Sequence, residues 1–171
     1  WAATLLRRRG VRASAVLLSP DRTHAAALAA FRKAGGRLVQ NIPAATDLVI
    51  DGVVGISGRG GLRPDAAAVF EGCGAPVIAV DIPSGVNAST GEAGPGILAA
   101  DRTVTFQALK PGLVFGAGRE LCGVIDVVDI AGVCPVYKVG DQFRLREGYR
   151  IETQRSCDNC MHSLGSITPW A

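Results

Sequence analysis

Apolar and polar positions along residues 1–130 follow the pattern of an α/β protein, in which short apolar runs separate amphipathic stretches. The apolar runs predict strands at residues 11–18, 37–40, 47–54, 76–81, 102–106 and 124–130. The amphipathic stretches predict helices at residues 1–9, 19–33 (capping residues included) and 64–70. Strands that alternate with helices and are apolar throughout are typical of a mainly parallel sheet covered by helices on both faces.

The connections after residue 81 carry no helical pattern of convincing length. Parallel neighbours are usually joined through a helix, so we expect one edge of the sheet to be mixed or antiparallel.

The composition changes near Gly132, where long apolar runs stop and cysteine and aromatic residues appear among polar ones. We therefore predict a domain at residues 1–131 and a small C-terminal appendage at residues 132–171.

Three cysteines and one histidine in this tail have the count of a tetrahedral zinc site: Cys134, Cys157, Cys160 and His162. However, His162 follows Cys160 too closely for conventional ligand spacing, and a second Cys-x-x-Cys pair is missing. Ordinary reduced thiols are therefore favoured over zinc.

Charge and hydropathy exclude several classes of protein. A formal net charge of +3 is too small to imply nucleic-acid binding by itself. No apolar stretch approaches the roughly 20 residues that span a bilayer. No secretory signal pattern precedes the first periodic segment, so we expect a cytoplasmic protein with no membrane partner.

The first candidate for chemistry is a glycine-rich segment that follows the strand at 47–54. Its glycines leave backbone amides open to an anion, and Arg59 and Arg63 add positive charge. The spacing matches neither the dinucleotide fingerprint nor a phosphate-binding P-loop, so a flexible turn remains the alternative. Asp51, near the strand end, suits either a cation ligand or a turn.

The second candidate is the segment Asp81-Ile82-Pro83-Ser84-Gly85, at the end of the strand at 76–81. Ligands of open α/β sheets bind beyond the carboxyl ends of the strands, where this segment lies. Asp81 is suited to general acid/base chemistry, and Ser84 to binding a ligand or metal through oxygen. The alternative is a turn whose aspartate accepts hydrogen bonds from nearby backbone amides.

Together, in this order and spacing, the two segments resemble the NAD(P)H-hydrate epimerase family, whose domain is also called the YjeF N-terminal domain. The similarity continues downstream through Ser-Thr-Gly-Glu, Ala-Asp-Arg-Thr-Val-Thr-Phe, Lys-Pro-Gly-Leu and Gly-Val-Ile-Asp-Val-Val-Asp-Ile at residues 89–92, 100–106, 110–113 and 123–130. It covers roughly residues 1–130.

The resemblance implies a Rossmann-like enzyme that interconverts the R and S forms of hydrated NADH or NADPH, the nucleotide being its substrate. It assigns nucleotide contacts to Gly55, Ile56, Ser57, Gly58, Arg59, Gly60 and Gly61. It makes Asp81 the acid/base group and a substrate contact, and it makes Asp51 and Ser84 ligands of a potassium ion. A homodimer is left open.

This sequence also departs from the family. The first strand of the family, and the asparagine-containing phosphate loop after it, are not present. That strand is central in the sheet, so we expect unpaired sheet edges and impaired activity. The alternative is a non-catalytic nucleotide-binding or scaffold module of the same fold. The tail distantly resembles small uncharacterised bacterial domains that begin with a Cys-Pro…Gly-Asp pattern.

Overall fold

The computed structural model describes residues 1–58, 60–128, 136–139 and 142–145. The helices are α1 (Ala2–Arg8), α2 (Ala25–Lys33), α3 (Pro64–Phe70) and α4 (Gly118–Leu121), with 3-10 turns at Pro20–Arg22 and Pro111–Leu113. The strands are β1 (Ser14–Ala15), β2 (Arg37–Leu38), β3 (Val49–Asp51), β4 (Val77–Val80), β5 (Arg102–Phe106), β6 (Val124–Val128), β7 (Val136–Val139) and β8 (Gln142–Leu145). Among the described residues, no helix is long and apolar enough to cross a membrane.

Local sequence explains where the helices begin. Pro64 occupies the first turn of α3, where its missing N–H costs nothing, and Asp65 complements the helix dipole. Helix α2 begins later than predicted, because Pro20–Arg22 forms a separate 3-10 turn. Its N-cap is His24, whose Nδ1 accepts a hydrogen bond from the amide of Ala27 at 3.3 Å.

The larger sheet has the order β3-β4-β5-β6, and every neighbouring pair in it is parallel. The predicted mixed or antiparallel edge is therefore wrong. A parallel connection needs a crossover of about a dozen residues or more but no long helix. The segments 81–101 and 107–123 are long enough, with only a 3-10 turn and the four-residue α4 in the second.

The first two strands form a separate parallel sheet, β1-β2. The α/β class with parallel strands is confirmed, but the strands form two sheets where one was predicted. Within the described residues, β1 pairs only with β2 and β3 pairs only with β4, so each has one unpaired edge.

Two apolar clusters hold the larger sheet in place. One joins β3 and β4 to α3 through residues that include Val49, Val77, Ala66 and Phe70. The other lies under the connection after β4 and contains Ile82, Val86, Leu109, Leu113 and Cys122. The ends of β3, β4 and β5 are thereby fixed relative to one another.

Past residue 128, the structure describes the antiparallel pairing of β7 with β8, with Val136 opposite Leu145. The predicted domain boundary at residue 131 and the candidate thiol and imidazole ligands of the tail lie outside the described residues. They stay predictions.

Candidate functional site

The candidate site lies where three parallel strands end at the same edge of the larger sheet. Asp51 is the last residue of β3, Asp81 directly follows β4, and Thr105 is near the end of β5. The register places Asp51 opposite Ala79 and Val80 opposite Val104. Neighbouring parallel strands thus place the two carboxylates that the sequence singled out at the same sheet edge.

Asp81 has a left-handed backbone conformation with φ of +74°. Aspartate and asparagine tolerate this region better than other residues with a side chain, but it still costs free energy. The strained turn follows directly after an extended strand, and it directs the carboxylate across the sheet edge toward neighbouring segments. Residues held in such conformations cluster at functional sites.

The two carboxylate oxygens of Asp81 have different partners. Oδ1 is 2.5 Å from Nζ of Lys110 and accepts a 3.1 Å hydrogen bond from the Thr105 hydroxyl. Oδ2 accepts a 3.2 Å hydrogen bond from the backbone amide of Ile56, in the glycine-rich loop. The structure therefore brings Asp81 to this loop, as the sequence predicted, although the two are 25 residues apart in the chain.

Sequence reasoning missed Lys110 and Thr105. Both lie in segments that carried the family resemblance, but neither had a predicted role. Lys110 directly precedes the 3-10 turn Pro111–Leu113, and its ammonium group turns back to the end of β5. There it donates to the hydroxyl of Thr105 at 2.8 Å and to the carbonyl of Phe106 at 2.7 Å.

Most of the described residues of the glycine-rich loop are exposed, and the others are half-buried. Ile56 is 62% exposed, and the amide of Gly58 closes a tight turn by donating to the carbonyl of Gly55 at 2.9 Å. Gly60 has φ of +76°, which favours glycine. A methyl group at Gly61 would lie 2.9 Å from Cδ of Pro95, so the two loops pack closely there. Ser57 is also exposed, and Arg59 lies outside the described residues.

Asp51 and Ser84 form a buried unit beside this loop. Both residues are almost fully buried, at 2% and 1% exposure. The Ser84 hydroxyl donates to Oδ1 of Asp51 at 2.6 Å, and the Ser84 amide donates to Oδ2 at 2.8 Å. Oδ1 also accepts from the amide of Val53 at 3.2 Å, and the hydroxyl oxygen accepts from the amide of Val54 at 2.9 Å. The structure thus brings together the two residues that the resemblance named as potassium ligands.

The chemistry of this unit suits a hard monovalent cation. Its candidate donors are all oxygens: the Asp51 carboxylate, the Ser84 hydroxyl and the carbonyl of Val54, which is 3.3 Å from that hydroxyl. No ion pair involves Asp51 within the described part of the chain. A buried carboxylate without a cationic neighbour is costly, so a bound cation would lower that cost. The same described residues contain no group of three or more His, Cys, Asp or Glu side chains arranged to hold a metal.

A cavity of about 550 Å³ lies away from Asp81. It is bounded on one side by the segments that follow β1 and β2, and on the other by Asp65 and Val69 of α3. Its lining is mainly apolar and includes none of the predicted site residues. The cavity therefore lies among the segments around the smaller sheet, α2 and α3.

Comparison with known proteins matches the chain to one family. The family model described as YjeF-related protein N-terminus matches residues 1–112. A bifunctional NAD(P)H-hydrate repair enzyme Nnr from Mycobacterium leprae is 60% identical over 134 residues, which is 76% of this chain and 27% of that relative. An NAD(P)H-hydrate epimerase from Microbacterium testaceum is 43% identical over 127 residues, which is 67% of this chain and 50% of the relative. The chain thus spans about a quarter to a half of the length of these relatives.

Proposed function

The chain belongs to the family of YjeF-related protein N-termini, and from that premise we propose that it epimerises the R and S forms of hydrated NAD(P)H. Similar proteins carry the names NAD(P)H-hydrate epimerase and NAD(P)H-hydrate repair enzyme. The observation that carries the proposal is the contact between Asp81 and the glycine-rich loop. It joins a carboxylate to an open backbone segment at the edge of the sheet where nucleotides bind in this architecture.

The reaction requires a group that moves protons and no group that moves electrons. When water adds to a ring double bond beside nitrogen, the hydroxyl attaches to the carbon bonded to that nitrogen, which stabilises positive charge there. Loss of this hydroxyl as water, followed by return of water to the opposite face, inverts the carbon without redox change. In its protonated form, Asp81 would give a proton to the departing hydroxyl, and the resulting carboxylate would accept one from the returning water, which restores the starting form.

The two predicted parts of the site would bind different parts of the substrate. The loop from Gly55 to Gly61 would hold the nucleotide through backbone amides, with the start of α3 adding its dipole. Oδ2 of Asp81 faces this loop, so the hydrated ring would lie beside that oxygen.

We further propose potassium as the resident cation, with Asp51 and Ser84 as ligands. Support comes from the all-oxygen donor set and from the burial of an unpaired carboxylate. The ion would supply positive charge next to the nucleotide-binding loop. The proposed place of action is the cytoplasm, because the substrate forms from soluble NADH and NADPH. The homodimer stays a prediction.

Conversion of R-form hydrated NADH to the S form by the purified chain tests the function directly. The rate should exceed that of a protein-free sample, and Asp81→Asn should reduce it about 10²- to 10⁴-fold, the usual contribution of general acid/base catalysis. Asparagine tolerates positive φ, so this variant should keep the backbone of the turn. A wild-type rate equal to the protein-free rate, with nucleotide still stabilising the protein, would instead indicate a non-catalytic binding module.

A further inference from the structure

We infer that Lys110 is the positioning residue for Asp81: it holds one carboxylate oxygen and thereby directs the other toward the glycine-rich loop. The inference rests on the proposed function, in which Asp81 acts on the substrate. It deepens that function by naming a residue that no sequence motif or relative's name assigns.

The contacts of the ammonium group support a holding role. A lysine ammonium has three N–H donors. Nζ of Lys110 has three oxygen neighbours: Oδ1 of Asp81 at 2.5 Å, the hydroxyl of Thr105 at 2.8 Å and the carbonyl of Phe106 at 2.7 Å. Every donor is therefore engaged by the protein itself. None is left for substrate, so Lys110 acts through Asp81.

The same contacts give the two oxygens of the Asp81 carboxylate different surroundings. Oδ1 receives both Lys110 and the Thr105 hydroxyl, whereas Oδ2 receives only the amide of Ile56. A carboxylate oxygen has two lone pairs, so Oδ2 retains acceptor capacity on the side of the loop. Without Lys110, only the hydrogen bonds from Thr105 and Ile56 would fix the orientation of the carboxylate.

Burial makes this ion pair stronger than an exposed one. The Lys110 and Asp81 side chains are only 14% and 16% exposed, whereas both partners of the Arg102–Asp126 pair are nearly half exposed. Solvent weakens exposed pairs until they contribute little. Arg102 therefore provides a matched control: it lies on the same strand as Thr105, but its partner is Asp126 on β6 and not Asp81.

The decisive experiment combines kinetics with thermal unfolding of Lys110→Met, Lys110→Arg, Asp81→Asn and the double variant Lys110→Met/Asp81→Asn. We expect Lys110→Met to lower kcat about 100-fold with KM changed less than about threefold, because misplacing a catalytic group by about 1 Å costs this much. Lys110→Arg keeps the charge, so its kcat should be about tenfold higher than that of Lys110→Met. It should stay below wild type, because the planar guanidinium group cannot reproduce all three contacts. Arg102→Met should leave kcat within about twofold of wild type.

Two results test the coupling to Asp81. The double variant should be no slower than Asp81→Asn alone, since residues that act as a unit are non-additive. Lys110→Met should lower Tm by about 5 °C in the wild-type background and by clearly less in the Asp81→Asn background. Equal Tm changes in both backgrounds, or a Lys110→Met enzyme with wild-type kcat, would overturn the inference.

The Tm measurements distinguish a failure of the proposed epimerase function from a failure of the inference about Lys110. If the wild-type chain does not epimerise hydrated NADH, the proposed function fails. The Tm values of the four proteins then still decide whether Lys110 holds Asp81. A smaller Tm change for Lys110→Met in the Asp81→Asn background supports the contact, and equal changes refute it.

Discussion

Replacing Ser84 with alanine tests the buried unit at the end of β3. The substitution removes one hydroxyl, which donates to Oδ1 of Asp51 at 2.6 Å and accepts from the amide of Val54 at 2.9 Å. The backbone bond from Ser84 to Oδ2 remains, because alanine keeps the amide. The variant therefore weakens the hold on a buried charge and leaves an amide without its acceptor, with little other change.

The contacts set the size of the effect. A hydrogen bond to a charged group contributes about 1.5–3 kcal/mol, and an unsatisfied buried donor adds to the loss. Asp51 and Ser84 are 2% and 1% exposed, so water cannot readily replace the hydroxyl without rearrangement. Asp51 keeps two other donors, however, so we expect a loss of about 2–3 kcal/mol in the free energy of unfolding. For a chain of this length, that corresponds to a fall in Tm of about 5–10 °C.

Urea and thermal unfolding of Ser84→Ala against wild type measure this loss, and Ser89→Ala is the control. Ser89 is exposed, and its bond to Asn87 comes from the backbone, so its variant should stay within about 0.5 kcal/mol of wild type. Repeating the scans in potassium chloride and in choline chloride tests the cation. Wild type should gain Tm from potassium, and Ser84→Ala should gain less. A loss below about 0.5 kcal/mol would refute the reasoning about the buried hydroxyl.

Two further substitutions test other parts of the structure. Thr4 is 1% exposed and its hydroxyl has no partner among the described residues, so Thr4→Val should raise the free energy of unfolding by about 1 kcal/mol in urea titrations. A destabilised variant would reveal a partner for that hydroxyl. Gly61→Ala would place a methyl group 3.0 Å from Cα of Gly94, displace the glycine-rich loop, and weaken NADPH binding about tenfold by calorimetry. Gly52→Ala meets nothing within 4 Å and should bind like wild type; equal affinities for both variants would exclude the loop from the nucleotide site.

The sequence was informative where apolar runs end in polar residues. The strand at 102–106 and the helix at 64–70 were predicted with the bounds that the structure shows, because strand and helix are each bordered by clear sequence changes. The meeting of Asp81 with the glycine-rich loop followed from the rule that carboxyl ends of parallel strands share one edge. Both predictions depended on local pattern and sheet direction alone.

Other features depended on geometry that a linear pattern does not contain. Lys110 reaches Asp81 only because the segment after β5 turns back through a 3-10 turn. The positive φ of Asp81 likewise has no sequence signature, since most aspartates at strand ends are not left-handed. The length of β1 was overestimated because its apolar composition says nothing about whether a neighbouring strand is present to pair with it.

The division of the strands into two sheets affects the surroundings of Asp81 and of Asp51 differently. Asp81 directly follows β4, Thr105 lies in β5, and Lys110 comes shortly after β5. Both of these strands have a neighbour on each side. Asp51 ends β3, whose other edge is unpaired within the described residues. An unpaired edge leaves backbone donors and acceptors without partners, so side-chain contacts add to the ladder with β4 in holding β3. The bonds from Ser84 to Asp51 supply such contacts, and they tie the end of β3 to the turn after β4. Asp81 is therefore held by strands that have neighbours on both sides, whereas Asp51 is held by the ladder with β4 and by its bonds to Ser84.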